Sequence, residues 1–152
     1  MSPMEKPLKR KLLWAILLTV IGCVCFAGYS AIVTWRKIPE AYAAWDTGTL
    51  LVEYMKAHDD QWPKSWDDLL TIMDGKTGSD FMLRGRGGLD KEYAISLRQK
   101  ILIDWSFDPR TRHPERPVRP LDGKPFPVTW KGAEPNQMVR DHLDSRSKSS
   151  PK

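Results

Sequence analysis

Cysteine is nearly missing from these 152 residues, and its placement excludes more than it offers. Cys23 and Cys25 are the only two, and both fall inside an apolar run. No disulfide can therefore staple a water-exposed domain, whose stability must come from packing or assembly. Histidine is scarce too: His58, His113 and His142 stand far apart, which gives no metal-ligand spacing. No serine occupies a nucleophile-elbow pattern, and no thiol lies outside the run. Acidic residues are absent from Leu12 to Pro39. The overall charge of +5 also shrinks once divided, because four of the 24 basic residues precede the run. Twenty basic residues then face 18 of the 19 acids, too even a balance for a specific nucleic-acid partner.

What is present begins with the run itself. Leu12 to Trp35 is 24 residues without a charged side chain. At about 1.5 Å per helical residue it is long enough for a hydrocarbon core of about 30 Å. Trp14 and Trp35 bracket it, about 31 Å apart along a helix, where interfacial aromatic anchors sit. Lys6, Lys9, Arg10 and Lys11 precede it, against Arg36 and Lys37 after it. That bias predicts a single-pass protein with residues 1–11 as a cytoplasmic basic tail, a span over 12–35 and an extracytoplasmic remainder. In a bacterium the membrane would be the inner one. The apolar stretch is longer than a cleaved signal peptide needs, so the expectation is a retained signal-anchor. Val20-Ile21-Gly22-Cys23 has the look of a lipobox, but the sequence stays apolar beyond Cys23. Within the span Thr19, Cys23, Ala27 and Ala31 recur every four residues, a stripe of small side chains on which a second helix would pack.

The remainder, 36–144, has the size of one small domain, with 145–152 expected to be disordered. Tyr42, Trp45, Thr49, Val52 and Met55 share one helical face, while Asp46, Glu53 and Lys56 fall elsewhere. Together with the span they predict one long helix from about 12 to 57, kinked at Pro39. Ser65 is a good N-cap for a short helix to about Met73, with Asp67 and Asp68 in its first turn. Trp62, Trp66 and Leu69 are then expected to fold back onto Tyr42, Trp45 and Val52 as the structural core. Asp90 reads as a second cap, and Gly85-Arg86-Gly87-Gly88 as a flexible loop rather than a phosphate cradle. Lys100 to Phe107 alternates as a strand. Four prolines in 109–120 exclude a central strand, and Asp122-Gly123 predicts a hairpin turn into an edge-like strand from Phe126 to Trp130. A marginal helix is expected from Asn136 to Leu143. Between Arg98 and Lys131 eight basic residues face four acids. A solvated loop is the expectation there, with an anionic polymer or lipid headgroups as the functional alternative.

An apolar helix leading into an amphipathic one, then Trp62-Pro63-Lys64-Ser65-Trp66 and Leu69, and then a small antiparallel sheet, resembles bacterial type IV pilin-like proteins. Pseudopilins of type II secretion are similar in the same way. Tyr54, Trp62-Pro63 and Leu69 match the pattern that commonly follows the long helix there, and the resemblance covers about residues 12–70. It implies a pilin-like α+β fold, with the amphipathic helix packed on a small antiparallel sheet, and a place in an envelope assembly. Two family marks are missing: Lys11 stands where a processing glycine would precede the run, and the run lacks the glutamate that guides assembly. The expected function is a membrane-anchored extracytoplasmic interaction or scaffold protein, not an enzyme. Its partners would be the membrane and a protein or second copy engaged through the span and long helix; no cofactor or metal is expected. The alternative is an envelope enzyme or ligand-binding domain whose site has no sequence signature.

Overall fold

The computed structural model describes residues 5–74, 82–85, 88, 90–111, 116–126 and 129–149, with side chains from Lys11 to Arg146. The chain divides into two units, Met1–Lys37 and Ile38–Lys152. Helix α1, Glu5–Ala57, contributes to both and passes through Pro39 without ending.

In the first unit α1 is long and apolar enough to cross a membrane, and it is the one such helix among the described residues. Its side chains are bare: Leu13 is 66 % exposed and Phe26 73 %. Its two threonine hydroxyls are already satisfied, since Thr19 Oγ1 donates to the Ala15 carbonyl and Thr34 Oγ1 to that of Ser30, both at 2.9 Å. A polar group placed in hydrocarbon needs such a partner. Thr19, Cys23, Ala27 and Ala31 are all exposed.

In the second unit α1 is central. Between Ala41 and Met55 the buried residues include Ala43, Ala44, Asp46, Thr47, Leu50, Leu51, Tyr54 and Met55. Tyr42, Trp45 and Val52, expected at the core, are only half-buried. A single apolar stripe fails here because the helix is enclosed on most sides, so small and polar positions are inside as well. Gly48 shows how closely it is approached: a Cβ there would stand 2.7 Å from Met138 Sδ and 3.0 Å from Pro135 Cα. The helix ends at a Schellman-type bond from the Asp60 amide to the Met55 carbonyl, 2.9 Å, with Asp59 and Asp60 both at positive φ.

Helix α2, Trp66–Leu70, begins at Ser65, whose side chain accepts from the Asp68 amide; a 3-10 turn over Thr71–Met73 follows it. Helix α3, Lys91–Leu97, is capped in the same way by Asp90, which accepts from the Tyr93 amide. Both caps match the sequence expectation. Gly75, Arg86 and Gly87 lie outside the described residues.

Two short strands, β1 Ile101–Ile103 and β2 Val118–Pro120, form an antiparallel ribbon in which Ile101 faces Pro120 and Ile103 faces Val118. Bonds from Leu121 N to Lys100 O and from Asp104 N to Pro117 O set its ladder. By alternation the 101/120 and 103/118 pairs are then the non-hydrogen-bonded ones. Pro120 therefore sits where its missing N–H costs no ladder bond, and the polar groups of Val118 point outward. Asn136 takes both, accepting from Val118 N at 2.9 Å and donating to Val118 O at 3.0 Å.

Three expectations are corrected. The first strand is shorter than 100–107, because from Asp104 the chain turns, with the Asp104 carboxylate accepting from Ser106 N and Oγ. The second strand precedes the Asp122-Gly123 turn instead of following it. The last helix, α4, covers Pro135–Ser149 and so includes much of the segment expected to be disordered. Pro135 suits its first position, and Glu134 accepts from the Gln137 amide at 2.6 Å. The fold is α+β, with a long apolar-start helix, three shorter helices and a two-stranded ribbon among the described residues.

Candidate functional site

Three polar groupings deserve separation by what they can do chemically. The most buried centres on Asp46, an acid with no exposed surface in the second half of α1. Leu83 and Gly88 form an antiparallel bridge, and the Arg84 and Gly85 amides that follow Leu83 face the helix. Oδ1 of Asp46 accepts from Arg84 N at 2.5 Å; Oδ2 accepts from Gly85 N at 2.8 Å and Tyr93 Oη at 2.9 Å. The Arg84 guanidinium lies over the Trp45 ring, 5.1 Å from its centroid. Burial pushes the Asp46 carboxyl above its ordinary value, although the two amides, Tyr93 and Arg84 all pull the other way. With both oxygens occupied by donors, Asp46 works as a latch between α1, the 84–85 loop and α3.

The second grouping closes the far end of α1. His142 Nε2 lies 2.7 Å from Asp60 Oδ1, and Arg146 Nε 3.4 Å from Asp60 Oδ2. His58 is not part of it. Its Nδ1 lies 2.9 Å from the Tyr54 carbonyl, and its ring stacks on Tyr54 at 4.0 Å. Tyr54 in turn donates to Asp68 Oδ2, and burial followed by that carboxylate pushes its phenol up to about 12. Among the described residues no three His, Cys, Asp or Glu side chains are grouped to hold a metal ion.

The third grouping is open to solvent. A cleft of about 500 Å³ lies between β2, residues 123–126 and 129–132, and the start of α4. Val118, Pro120, Pro125, Phe126 and Trp130 give it apolar walls, and Arg116, Arg119, Lys124 and Lys131 give it charge. Glu134 is the acid on its lining, and it is held by the α4 cap. Lys124 has Asp122 at 3.8 Å. Arg116, Arg119 and Lys131 have no ion-pair partner among the described residues. This is the surface best suited to a ligand, with four cations against one acid around apolar walls.

The residues expected at the core separate into two clusters. Trp62 is buried, donates from Nε1 to the Asp104 carbonyl at 2.8 Å and meets Phe107 edge-on at 4.9 Å. Trp66, half-buried, packs on Trp105 at 5.7 Å, and Leu69 is fully covered. Tyr42 and Trp45 pack instead on Trp130, at 4.7 and 5.6 Å. The 62–69 segment thus folds onto the chain following β1, and the expected contact of Trp66 with Tyr42 and Trp45 is replaced by its contact with Trp105. Sequence reasoning placed Asp46 off the buried face and gave no weight to Asp60 or His142 together. A signal for Asp46 existed: Ala43, Ala44, Thr47 and Gly48 surround it with small residues, a sign of close approach from several sides.

No family model, curated protein or solved structure matches the chain.

Proposed function

We propose that this is a single-pass, membrane-anchored interaction protein, with its folded domain outside the cytoplasm and a pilin-like role as a component of an envelope assembly. The observation that carries the reading is the division of labour within α1. Its first half exposes a continuous apolar surface over Leu12–Trp35, and its second half supplies Leu50, Leu51, Tyr54 and Met55 to a packed domain. An exposed apolar surface of that length needs lipid or other helices around it. The basic residues before Leu12 support the cytoplasmic placement of the amino terminus. Tyr54, Trp62-Pro63 and Leu69 support the pilin-like comparison, as does the Tyr54–Asp68 hydrogen bond that ties the long helix to the segment holding the last three. The occupied carboxylate of Asp46 and the stacked ring of His58 favour binding and assembly over acid–base catalysis.

A reporter active only outside the cytoplasm, fused after Lys152, tests the placement. Activity is expected, with the fusion retained in the membrane through an alkaline wash. An inactive but stable fusion reverses the topology, and release by the wash removes the anchor.

A further inference from the structure

Besides the cleft, the second unit carries an exposed ribbon face of unusual composition. Among its described residues the exposed large apolar side chains are Met82, Leu102 and Leu121, and two of these three share one face. Leu102 is paired directly with Arg119, and the Leu121 amide bonds to the Lys100 carbonyl one step along the ribbon. Side chains two apart on a strand share a face, so Lys100, Leu102, Arg119 and Leu121 all point outward, and all four are exposed. Each cross-strand pair joins one leucine to one cation. Ile101, Ile103 and Val118 fill the opposite, buried face.

Lys100 and Arg119 have no ion-pair partner among the described residues, although Arg119 acts electrostatically on Asp104. Arg119 also lines the basic cleft, so the ribbon face and the cleft form one continuous surface. Cations interleaved with exposed leucines suit a boundary where anionic headgroups meet hydrocarbon. The cleft wall residue Trp130 packs on Tyr42, which follows Trp35 by seven residues. Seven residues reach no further than about 25 Å whatever their path, so Tyr42 stays within that distance of Trp35. A peptide partner would have to be supplied, whereas the lipid is supplied by the anchor itself.

We propose that the Lys100–Leu102–Arg119–Leu121 face, together with the cations of the adjoining cleft, docks on anionic phospholipid headgroups of the membrane in which the chain is anchored. The phosphates meet Lys100, Arg116, Arg119 and Lys131, and the two leucines enter the headgroup layer beside them. This rests on the membrane-anchored reading above. Each cation near such a surface contributes roughly a factor of five in occupancy, so reversing two weakens docking by about 25-fold or more.

The test uses the full chain with Leu121 replaced by photo-reactive benzoylphenylalanine, in lipid nanodiscs of phosphatidylcholine alone or mixed with phosphatidylglycerol. Illumination should give a lipid adduct at position 121 in the mixed discs, falling towards background in the zwitterionic discs. High salt should suppress it without any further substitution, because exposed charges are screened beyond about 3 Å at 1 M. Lys100→Glu with Arg119→Glu should abolish the adduct while the chain keeps its melting temperature. Equal adduct in both disc types, or none in the mixed discs, overturns the docking face while leaving the anchor intact. A protein adduct in native membranes, in place of a lipid one, assigns the face to an acidic partner and overturns the lipid. Failure of the chain to enter discs overturns the anchor and the docking together.

Discussion

The amide of Gly85 donates to Asp46 Oδ2 at 2.8 Å, and the missing side chain of Gly85 is what lets Tyr93 reach the same oxygen. A Cβ on residue 85 would stand 2.2 Å from the Tyr93 hydroxyl oxygen and 3.0 Å from Asp46 Oδ2. The carboxylate, the backbone turn and the phenol are therefore mutually dependent.

Gly85→Ala should displace Tyr93 from Asp46 and lower stability by about 1–3 kcal/mol, the usual range for overpacking a filled site. Thermal unfolding of the full chain in detergent measures it. An unchanged midpoint would show that the loop moves aside freely.

Asp46 also sets a pH dependence whose sign is unusual for an acid. Its folded pKa is raised above 3.8 by burial, so the folded state holds that proton more tightly than the unfolded chain. Its contribution is fully present below 3.8 and is lost as pH rises through the folded pKa. Comparing the native chain with Asp46→Asn across that window, the stability difference in favour of aspartate should be largest at low pH and shrink upward. A difference that grows with pH would contradict the burial argument. Asp104 runs the other way. Its hydrogen bonds from Ser106 hold its carboxyl low, so its stabilisation is present above 3.8 and is lost as pH falls through the folded value.

His142→Ala should cost more than His58→Ala. The His142 side chain is 8 % exposed, so its loss empties a covered site and removes one of two partners of Asp60, which keeps Arg146; about 1–3 kcal/mol is expected. His58 gives up a stacking contact with Tyr54 and one hydrogen bond within its own helix, so about 0.5–1.5 kcal/mol is expected. Denaturant midpoints of the two variants decide the order.

Asp59→Gly should stabilise the chain. Asp59 holds φ at 51° with its side chain in solvent, in the position where helices most often place glycine. Relief of about 0.5–1 kcal/mol is expected, within the cost of left-handed backbone for other residues. A lower melting temperature would mean that the Asp59 side chain contributes to the cap.

Local chemistry was legible in the sequence and distant pairing was not. Ser65 and Asp90 announce their helices because a cap needs only the next three residues, and the Leu12–Trp35 run announces itself by composition. The β2 strand was hidden by its prolines. Nothing near Pro120 tells which ladder positions need an N–H; the pairing with Ile101 decides that. Asp46 was hidden for a similar reason, since its partners lie 38, 39 and 47 residues away. The basic residues between 98 and 131 were visible as an excess. Only the ribbon register reveals that Lys100 and Arg119 stand beside Leu121 and Leu102 on one face.

The position of α4 in the chain has a consequence for biosynthesis. It meets α1 at Gly48, holds Val118 through Asn136 and holds Asp60 through His142, so one late element closes three earlier ones. During synthesis the α1 core segment, the turn at Asp60 and the ribbon all emerge before the helix that covers them. A nascent chain halted before Pro135 would leave the outward groups of Val118 unpaired and the face around Gly48 bare. Proteases that survey unfinished chains would thus find the newest defect displayed at the oldest part of the domain.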